Sequence, residues 1–300
     1  MKKDLLTLKD ITKDDLYEIM ELSAKLKADR QCSKSLTGKS VGVIFAKSST
    51  RTRVSFEVGI SELGGTPLIL DQSKTQIGRG ETIEDTARVL SRYLQAIVIR
   101  TYKHEDVEKL AANASIPVIN ALTDDYHPCQ VLADLFTIYE LTGGELEGKS
   151  IAFMGDGASN MSNSIILGGK LAGMNVRVGA PKEFKPSDDI LNAENGTGTA
   201  QWFEDPYEAV KGADYVYTDV FVSMGFEEES EKRLQTLLPY QVNSELMSHA
   251  APDAKVLHCL PAHRGEEITH EVLESEQSVV FDEAENRLHV QKAVMQMLIK

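Results

Sequence analysis

Cysteine, tryptophan and basic residues are all scarce in this chain of 300 residues. It has three cysteines, one tryptophan, and 32 lysines and arginines against 46 aspartates and glutamates. The cysteines, Cys32, Cys129 and Cys259, are odd in number and widely separated, which argues against a disulfide framework and for a reducing compartment. The formal net charge of −14 opposes nonspecific binding to nucleic acid or to an anionic membrane. We therefore predict no nucleic-acid partner and no membrane partner.

Long apolar runs are missing as well. No segment approaches the length of a membrane span, and the first residues are followed by an amphipathic pattern instead of the apolar core of a signal peptide. These absences predict a cytoplasmic protein. The length of the chain predicts two domains of about 150 residues, each large enough to bury its own core.

Short β-branched and apolar segments alternate with segments of helical periodicity, which predicts an α/β fold. The predicted strands are 41–45, 66–70, 96–99, 118–120, 151–154, 176–178, 201–203, 215–218, 255–258 and 279–281. The short Gly-rich, acidic segment 143–148 precedes a fresh strand and predicts a domain boundary. A last helix is predicted over 283–300.

The segment 48–53, Ser-Ser-Thr-Arg-Thr-Arg, lies between a predicted strand and a predicted helix. Its hydroxyl groups fall at the first helical turn, where free N–H groups and the helix dipole stabilise an anion. Arg51 or Arg53 can add a two-pronged contact to phosphate oxygens. The alternatives are an ordinary N-cap, a solvated surface or a kinase target around Ser55. The lysine-bearing Gly-rich phosphate loop is absent, which disfavours a P-loop nucleotide enzyme.

Other polar residues stand at strand ends and helix starts. Arg100 follows the third predicted strand, at the edge where open parallel sheets bind ligands. His127 comes just before a long predicted helix, and Asp219 ends a strand. Each has a structural alternative, because such a histidine can be a cap or a buried hydrogen-bonding group and such a carboxylate can cap a turn.

Two patterns suggest a cofactor but match it poorly. His258, Cys259 and His263 do not have the spacing of a tetrahedral zinc site, and a fourth ligand is not evident. The turn at 155–157, Gly-Asp-Gly, has a Rossmann-like layout but lacks the third glycine and the acid on the next strand. We therefore predict neither a metal nor an organic cofactor.

Five separated motifs resemble those of the aspartate/ornithine carbamoyltransferase family. They are Ser-Thr-Arg-Thr-Arg at 49–53 with Ser-Phe-Glu at 55–57, His-Pro-x-Gln at 127–130, the Ser-Asn pair at 159–160, the segment 219–225 and His-Cys-Leu-Pro at 258–261. The last two resemble the ornithine-specific members in particular. Two positions depart from the family pattern: Ser159 replaces the first of two asparagines, and Phe221 replaces a tryptophan.

The resemblance implies an α/β fold of two domains, each a parallel sheet flanked by helices, with the C-terminal helix returning to the first domain. Residues 1–147 with 285–300 would bind carbamoyl phosphate, and residues 148–284 would bind ornithine. The implied reaction converts carbamoyl phosphate and L-ornithine to L-citrulline and phosphate, in arginine metabolism, with no metal or cofactor. The implied assembly is a homotrimer or a higher assembly of trimers.

The resemblance also implies the site residues. The implied catalytic residues are Arg100, His127, Asp219 and Cys259. The implied contacts to carbamoyl phosphate are Ser49, Thr50, Arg51, Thr52, Gln76, Arg100, His127, Gln130, Cys259, Leu260 and Arg287. The implied contacts to ornithine are Leu122, Asn160, Asp219, Ser223 and Met224. Gln76, in the polar loop 71–80, would reach the site of a neighbouring subunit; an ordinary solvated loop is the alternative.

Two other functions stay open from the sequence. A carbamoyltransferase for putrescine or N-acetylornithine would keep the first-domain motifs but change the Ser-Met-Gly segment at 223–225. The replacement of the family tryptophan by Phe221, close to that segment, keeps this alternative open. An inactive paralogue that binds and reports a metabolite is the second. The retained Arg51, Asp219 and Cys259 argue against it.

Overall fold

The structure, a computed structural model, describes residues 1–47, 49–72, 80–222 and 230–300. The chain divides into two compact units, Met1–Phe136 with Glu285–Lys300 and Thr137–Ala284. It passes between them within two helices, Pro128–Leu141 and Val280–Leu298. The first crossing falls between Phe136 and Thr137, inside the helix, and therefore precedes the Gly-rich segment 143–148. The predicted limits of the two substrate-binding domains stay predictions.

The first unit contains a four-stranded parallel sheet. Its strands are β1 (Ser40–Phe45), β2 (Thr66–Asp71), β3 (Ala96–Arg100) and β4 (Val118–Leu122). They lie in the order β2-β1-β3-β4. Its helices are α1 (Lys13–Ala28), α2 (Arg51–Glu62), α3 (Ile83–Leu90), α4 (His104–Asn113) and the start of α5 (Pro128–Leu141). Strands β1, β3 and β4 are almost wholly buried, as expected for apolar runs in a sheet covered on both faces.

The second unit contains a five-stranded parallel sheet. Its strands are β5 (Ser150–Met154), β6 (Asn175–Gly179), β7 (Thr199–Phe203), β8 (Tyr215–Thr218) and β9 (Lys255–His258). They lie in the order β7-β6-β5-β8-β9. Its helices are α6 (Asn160–Leu171), α7 (Asp188–Leu191), α8 (Pro206–Val210), α9 (Ser230–Leu237), α10 (Ser244–Met247), α11 (His270–Leu273) and the start of α12 (Val280–Leu298). Two 3₁₀ turns are Lys182–Phe184 and Leu238–Tyr240.

The predicted fold class is confirmed: both sheets are parallel and flanked by helices, and the C-terminal part of α12 belongs to the first unit. Nine of the ten predicted strands are present. The tenth, 279–281, is wrong. Val280 and Phe281 form the first turn of α12, and the Glu283 N–H donates to the Val279 carbonyl at 2.9 Å. Among the described residues, no helix is long and apolar enough to cross a membrane.

Candidate active site

The predicted anion-binding segment forms the start of α2, directly after β1. The Ser49 hydroxyl accepts a hydrogen bond from the Thr52 N–H at 3.3 Å, so this serine does act as a cap. The Thr50 side chain makes no capping bond, and the first turn carries no acidic residue. Because no side-chain carboxylate neutralises the positive end of the helix dipole there, that end is available to an external anion. Ser48 lies outside the described residues.

Two guanidinium groups converge on the hydroxyl of Thr52, which is buried. Arg287 Nη2, from α12, donates to Thr52 Oγ1 at 2.8 Å, and Arg100 Nη1, from the end of β3, donates at 3.4 Å. Both arginines are buried as well. The sequence places these three residues far apart, and the fold brings two positive charges to the first turn of α2. Buried cations of this kind attract an anionic ligand.

His127 lies beside these arginines and is buried. Burial lowers its pKa well below the usual value, and the charges of Arg287 and Arg100 lower it further. The imidazole is therefore neutral at physiological pH, which leaves one ring N–H to donate and one nitrogen to accept. A neutral imidazole can donate to a carbonyl oxygen without adding a third charge to the cluster.

The neighbours of His127 on α5 have distinct roles. The Gln130 amide donates to Asp134 Oδ1 at 2.8 Å, which fixes the orientation of this buried side chain. Cys129 donates to the Asn120 carbonyl at 3.4 Å, and burial raises the pKa of its thiol to about 12. The thiol stays protonated, so Cys129 is unsuited to nucleophilic attack or metal binding.

The remaining predicted residues of the first unit are exposed, half-buried or outside the described part of the chain. The Arg51 and Arg53 side chains are exposed on α2, and Leu122 is half-buried at the end of β4. Gln76 lies outside the described residues.

In the second unit, Asp219 and Cys259 lie side by side because they follow neighbouring strands. Thr218 of β8 pairs with His258 of β9, so the next residue of each strand reaches the same edge of the sheet. The Cys259 thiol donates to Asp219 Oδ1 at 3.0 Å. Burial raises the pKa of Asp219. His258, this thiol and the Val220 N–H act in the opposite direction and lower it, but the net shift is upward. A partly desolvated carboxylate with no cationic side chain bound to it attracts a cationic or amine ligand; both of these donors, the Cys259 thiol and the Val220 N–H, are neutral.

A buried network supports this edge, and no sequence motif marks its two acids, Glu267 and Glu283. His258 Nε2 lies 2.9 Å from Glu267 Oε1, and His258 Nδ1 accepts from the Leu260 N–H at 2.9 Å. This fixes the tautomer with the proton on Nε2. The His258 N–H donates to Glu283 at 2.8 Å. Leu260 has a φ of 55°, in the left-handed region that leucine rarely adopts. The network thus fixes the backbone that carries Cys259.

Within the part of the chain that the structure describes, two groups of side chains have the composition of metal ligands. Asp219, His258 and Cys259 have ligand atoms within 4.8 Å of one another, and so do His263, Glu266 and Glu267. In the first group both ring nitrogens of His258 are already engaged, so a metal would have to displace the Glu267 or the Leu260 hydrogen bond. In the second group Glu267 holds His258. Neither group offers three uncommitted ligands.

Ser159 and Asn160 begin α6. The Ser159 hydroxyl caps the helix by accepting from the Ser162 N–H at 3.2 Å, and Asn160 is its first residue, half-buried. The departure from the family pattern at Ser159 therefore keeps a good capping residue. Ser223 and Met224 lie outside the described residues.

Both parts of the chain match models of one known family. The family model of the aspartate/ornithine carbamoyltransferase carbamoyl-phosphate binding domain matches residues 3–140, and that of the Asp/Orn binding domain matches residues 147–298. The ornithine carbamoyltransferase of Bacillus subtilis is 49% identical over 99% of this chain and 94% of that protein. The ornithine carbamoyltransferase of Methanoculleus marisnigri is 50% identical, over 100% and 97%.

Solved structures give the same result. Ornithine carbamoyltransferase from Pyrococcus furiosus superposes with a TM-score of 0.93 at 47% identity, covering 99% of this chain and 96% of that one. The enzyme from Thermus thermophilus gives 0.92 at 42% identity, covering all of both chains. The fold and these matches define an α/β transferase built from two parallel sheets. The chain belongs to the aspartate/ornithine carbamoyltransferase family.

Proposed function

We propose that this protein transfers the carbamoyl group of carbamoyl phosphate to the side-chain amine of L-ornithine, giving L-citrulline and phosphate. One observation carries the proposal: relatives named ornithine carbamoyltransferase match about half of all residues over essentially the whole chain. Carbamoyltransferases for putrescine or N-acetylornithine, and an inactive paralogue, are not favoured by these matches.

The chemistry needs fixed donors, because attack of an amine on the carbamoyl carbon builds negative charge on the carbonyl oxygen and then on the departing phosphate. We assign Ser49, Thr50, Arg51 and Thr52 to the phosphate, and Thr52, Arg100, His127 and Gln130 to the carbamoyl group. The convergence of Arg100 and Arg287 on Thr52 and the neutral imidazole of His127 support this assignment. We assign Arg287 to the same anion.

The acceptor must arrive as an amine, so its side-chain ammonium has to lose a proton. We assign Asp219 and Cys259 to orient that nitrogen, because the carboxylate, held by the Cys259 thiol, offers acceptor oxygens to the amine N–H groups and leaves the lone pair free for attack. We assign the α-amino and carboxylate groups of ornithine to Asn160, Ser223 and Met224, and the sides of its chain to Leu122 and Leu260.

We further propose a cytoplasmic homotrimer that acts in arginine metabolism, with Gln76 completing the site of a neighbouring subunit. Exposed apolar residues on the first unit support an interface there. The edge strand β2 leaves Leu68 42% exposed, and Val54 on α2 is 53% exposed. An unpaired edge with exposed apolar side chains favours association with another chain.

The test supplies ornithine, putrescine and N-acetylornithine in parallel with carbamoyl phosphate, and it measures acceptor-dependent phosphate release together with the carbamoylated product of each amine. Ornithine should be carbamoylated with the highest kcat/KM. A preference for putrescine or N-acetylornithine would replace the proposed acceptor, and no turnover with any of the three would support the inactive paralogue.

A further inference from the structure

Arg233 on α9 has no part in the function proposed above, yet its side chain is buried and engaged with several groups of the second unit. Its Nη2 forms an ion pair with the Asp156 carboxylate. Its Nε donates to the Phe221 carbonyl at 3.2 Å, and its Cζ lies 4.7 Å from the centre of the Phe184 ring. Only 7% of the residue is exposed. A planar guanidinium with several fixed donors can join two acceptors at once, which a lysine ammonium does less well.

The first acceptor shapes the turn that leads to Asn160. Asp156 Oδ1 accepts from the Ala158 N–H at 2.9 Å, and its backbone carbonyl accepts from the Ser159 N–H at 3.1 Å. The turn is also packed tightly, because a Cβ on Gly157 would lie 2.6 Å from the Phe184 carbonyl oxygen. Asp156 is therefore part of the structure that starts α6, and Arg233 holds its other carboxylate oxygen.

The second acceptor lies two residues after Asp219. Phe221 is fully buried, and its ring lies 3.1 Å from the position that a Cβ on Gly155 would occupy. The chain that leaves Asp219 is thus packed against the residue before Asp156. By accepting from Arg233, the Phe221 carbonyl joins this chain to the same guanidinium.

We propose that Arg233 is a positioning residue for the amino-acid substrate. It holds the turn before Asn160 and the chain after Asp219 in a fixed relation. It belongs to α9, which residues 222–229 connect to Phe221 in the sequence. The inference rests on the proposed function, because it assigns ornithine to Asn160 and Asp219. Loss of Arg233 should weaken ornithine binding and leave carbamoyl-phosphate binding nearly unchanged.

The test compares Arg233→Met and Asp156→Asn with wild type in steady-state citrulline formation. L-Norvaline, which is ornithine without the side-chain amine, serves as an inhibitor that reports the grip on the α-amino and carboxylate groups. Both variants should raise the KM for ornithine and the inhibition constant of norvaline at least tenfold, with the KM for carbamoyl phosphate within twofold of wild type. If Arg233→Met does not fold, Asp156→Asn carries the test, because asparagine still accepts from the Ala158 N–H.

Arg177→Met is the matched control. Arg177 on β6 also donates to backbone carbonyls, those of Ala209 and Glu208, and its Cζ lies 4.3 Å from the centre of the Phe203 ring. This variant should lower the melting temperature without changing the KM for ornithine. An equal rise of that KM in Arg177→Met would show a general effect of lost stability and overturn the proposal.

The double variant Asp156→Asn, Arg233→Met adds a second criterion. Two residues that act through one contact give non-additive losses. The KM of the double variant for ornithine should therefore exceed that of the more affected single variant by no more than about twofold. Additive losses, or unchanged ornithine KM and norvaline inhibition in an active set of single variants, would overturn the inference. Absence of citrulline formation in the wild-type enzyme would instead overturn the proposed function.

Discussion

Arg51 and Arg53 are two residues apart near the start of α2, and both side chains are exposed. Arg53 Nε lies 4.0 Å from the Glu57 carboxylate, which offsets part of its charge. Arg51 is the first residue of α2, where its guanidinium adds to the positive end of the helix dipole, so we assign the phosphate contact to Arg51. We expect Arg51→Ala to lower kcat/KM for carbamoyl phosphate by an amount equivalent to about 2–5 kcal/mol, because a dianion loses its bidentate contact.

Steady-state kinetics at saturating ornithine measures this loss, with Arg53→Ala assayed alongside. Near-normal kcat/KM in Arg51→Ala would remove Arg51 from the phosphate site. A larger loss in Arg53→Ala would transfer the assignment to Arg53.

Asp219 should show opposite effects on activity and stability. Asp219→Asn keeps the shape of the side chain but removes the counter-charge to the amine, so turnover should fall while binding of carbamoyl phosphate alone, measured by calorimetry, is preserved. Cys259→Ser should lose less activity than Asp219→Asn, because a hydroxyl still donates to the carboxylate. Loss of turnover together with carbamoyl-phosphate binding in Asp219→Asn would indicate a structural role.

The stability effect follows from the raised pKa of Asp219. A carboxyl with a higher pKa in the folded state than in the unfolded state costs stability once it is ionised, and the cost disappears as the pH falls through the folded pKa to the unfolded value. Asp219→Asn should therefore have a higher melting temperature than wild type at pH 7, with the difference shrinking in acid. A lower melting temperature at pH 7 would contradict the desolvation of this carboxylate.

At the scale of elements, the strands were predictable because most are short uninterrupted runs of β-branched and apolar residues, as buried parallel strands are. The same rule failed at 279–281. Val279, Val280 and Phe281 form such a run, yet they lead into a helix whose buried face continues with Val290 and Val294. Strand propensity over three residues is weaker than the helical periodicity that follows it.

The supports of the site were not predictable for a different reason. Three of these supports are charged residues whose local sequence predicts a solvated side chain: Glu267, Glu283 and Arg233. The fold buries each of them beside a partner that is distant in sequence. Glu267 lies against His258 Nε2, and Arg233 forms an ion pair with Asp156. Thr52, His127, Arg100 and Arg287 were all named from the sequence, whereas the convergence of the two arginines on the Thr52 hydroxyl required the fold.

The start of α6 offers a test at this scale. Ser159 accepts from the Ser162 N–H, so Ser159→Ala should destabilise the protein by about 1 kcal/mol, the usual cost of losing an N-cap. Ser159→Asn restores the family residue and should keep the stability, because asparagine caps equally well. Chemical denaturation measures both. If Ser159→Ala is neutral while Ser159→Asn changes the KM for ornithine, this position acts in substrate binding and not as a cap.

For the whole molecule, a net charge of −14 means that anionic substrates depend on local positive charge. The first unit supplies it with Arg100 and Arg287 at Thr52 and with Arg51 nearby in sequence. Gln76, proposed to come from a neighbouring subunit, would add a neutral donor and no further charge. The assembly is thus proposed to complete the hydrogen bonding of the site and not its charge.

A site shared between chains can be rebuilt from two chains with different defects, which gives the assembly a sharp test. Separately purified Gln76→Ala and Arg51→Ala proteins should each be nearly inactive. Co-refolding them should give mixed trimers, and interfaces that pair an intact Gln76 with an intact Arg51 from different subunits should regain activity. Native mass spectrometry measures the mixing and citrulline formation measures the recovery, with each variant refolded alone as the control. If mixed trimers form and activity stays at the level of the separate variants, Gln76 acts within its own chain or not at all.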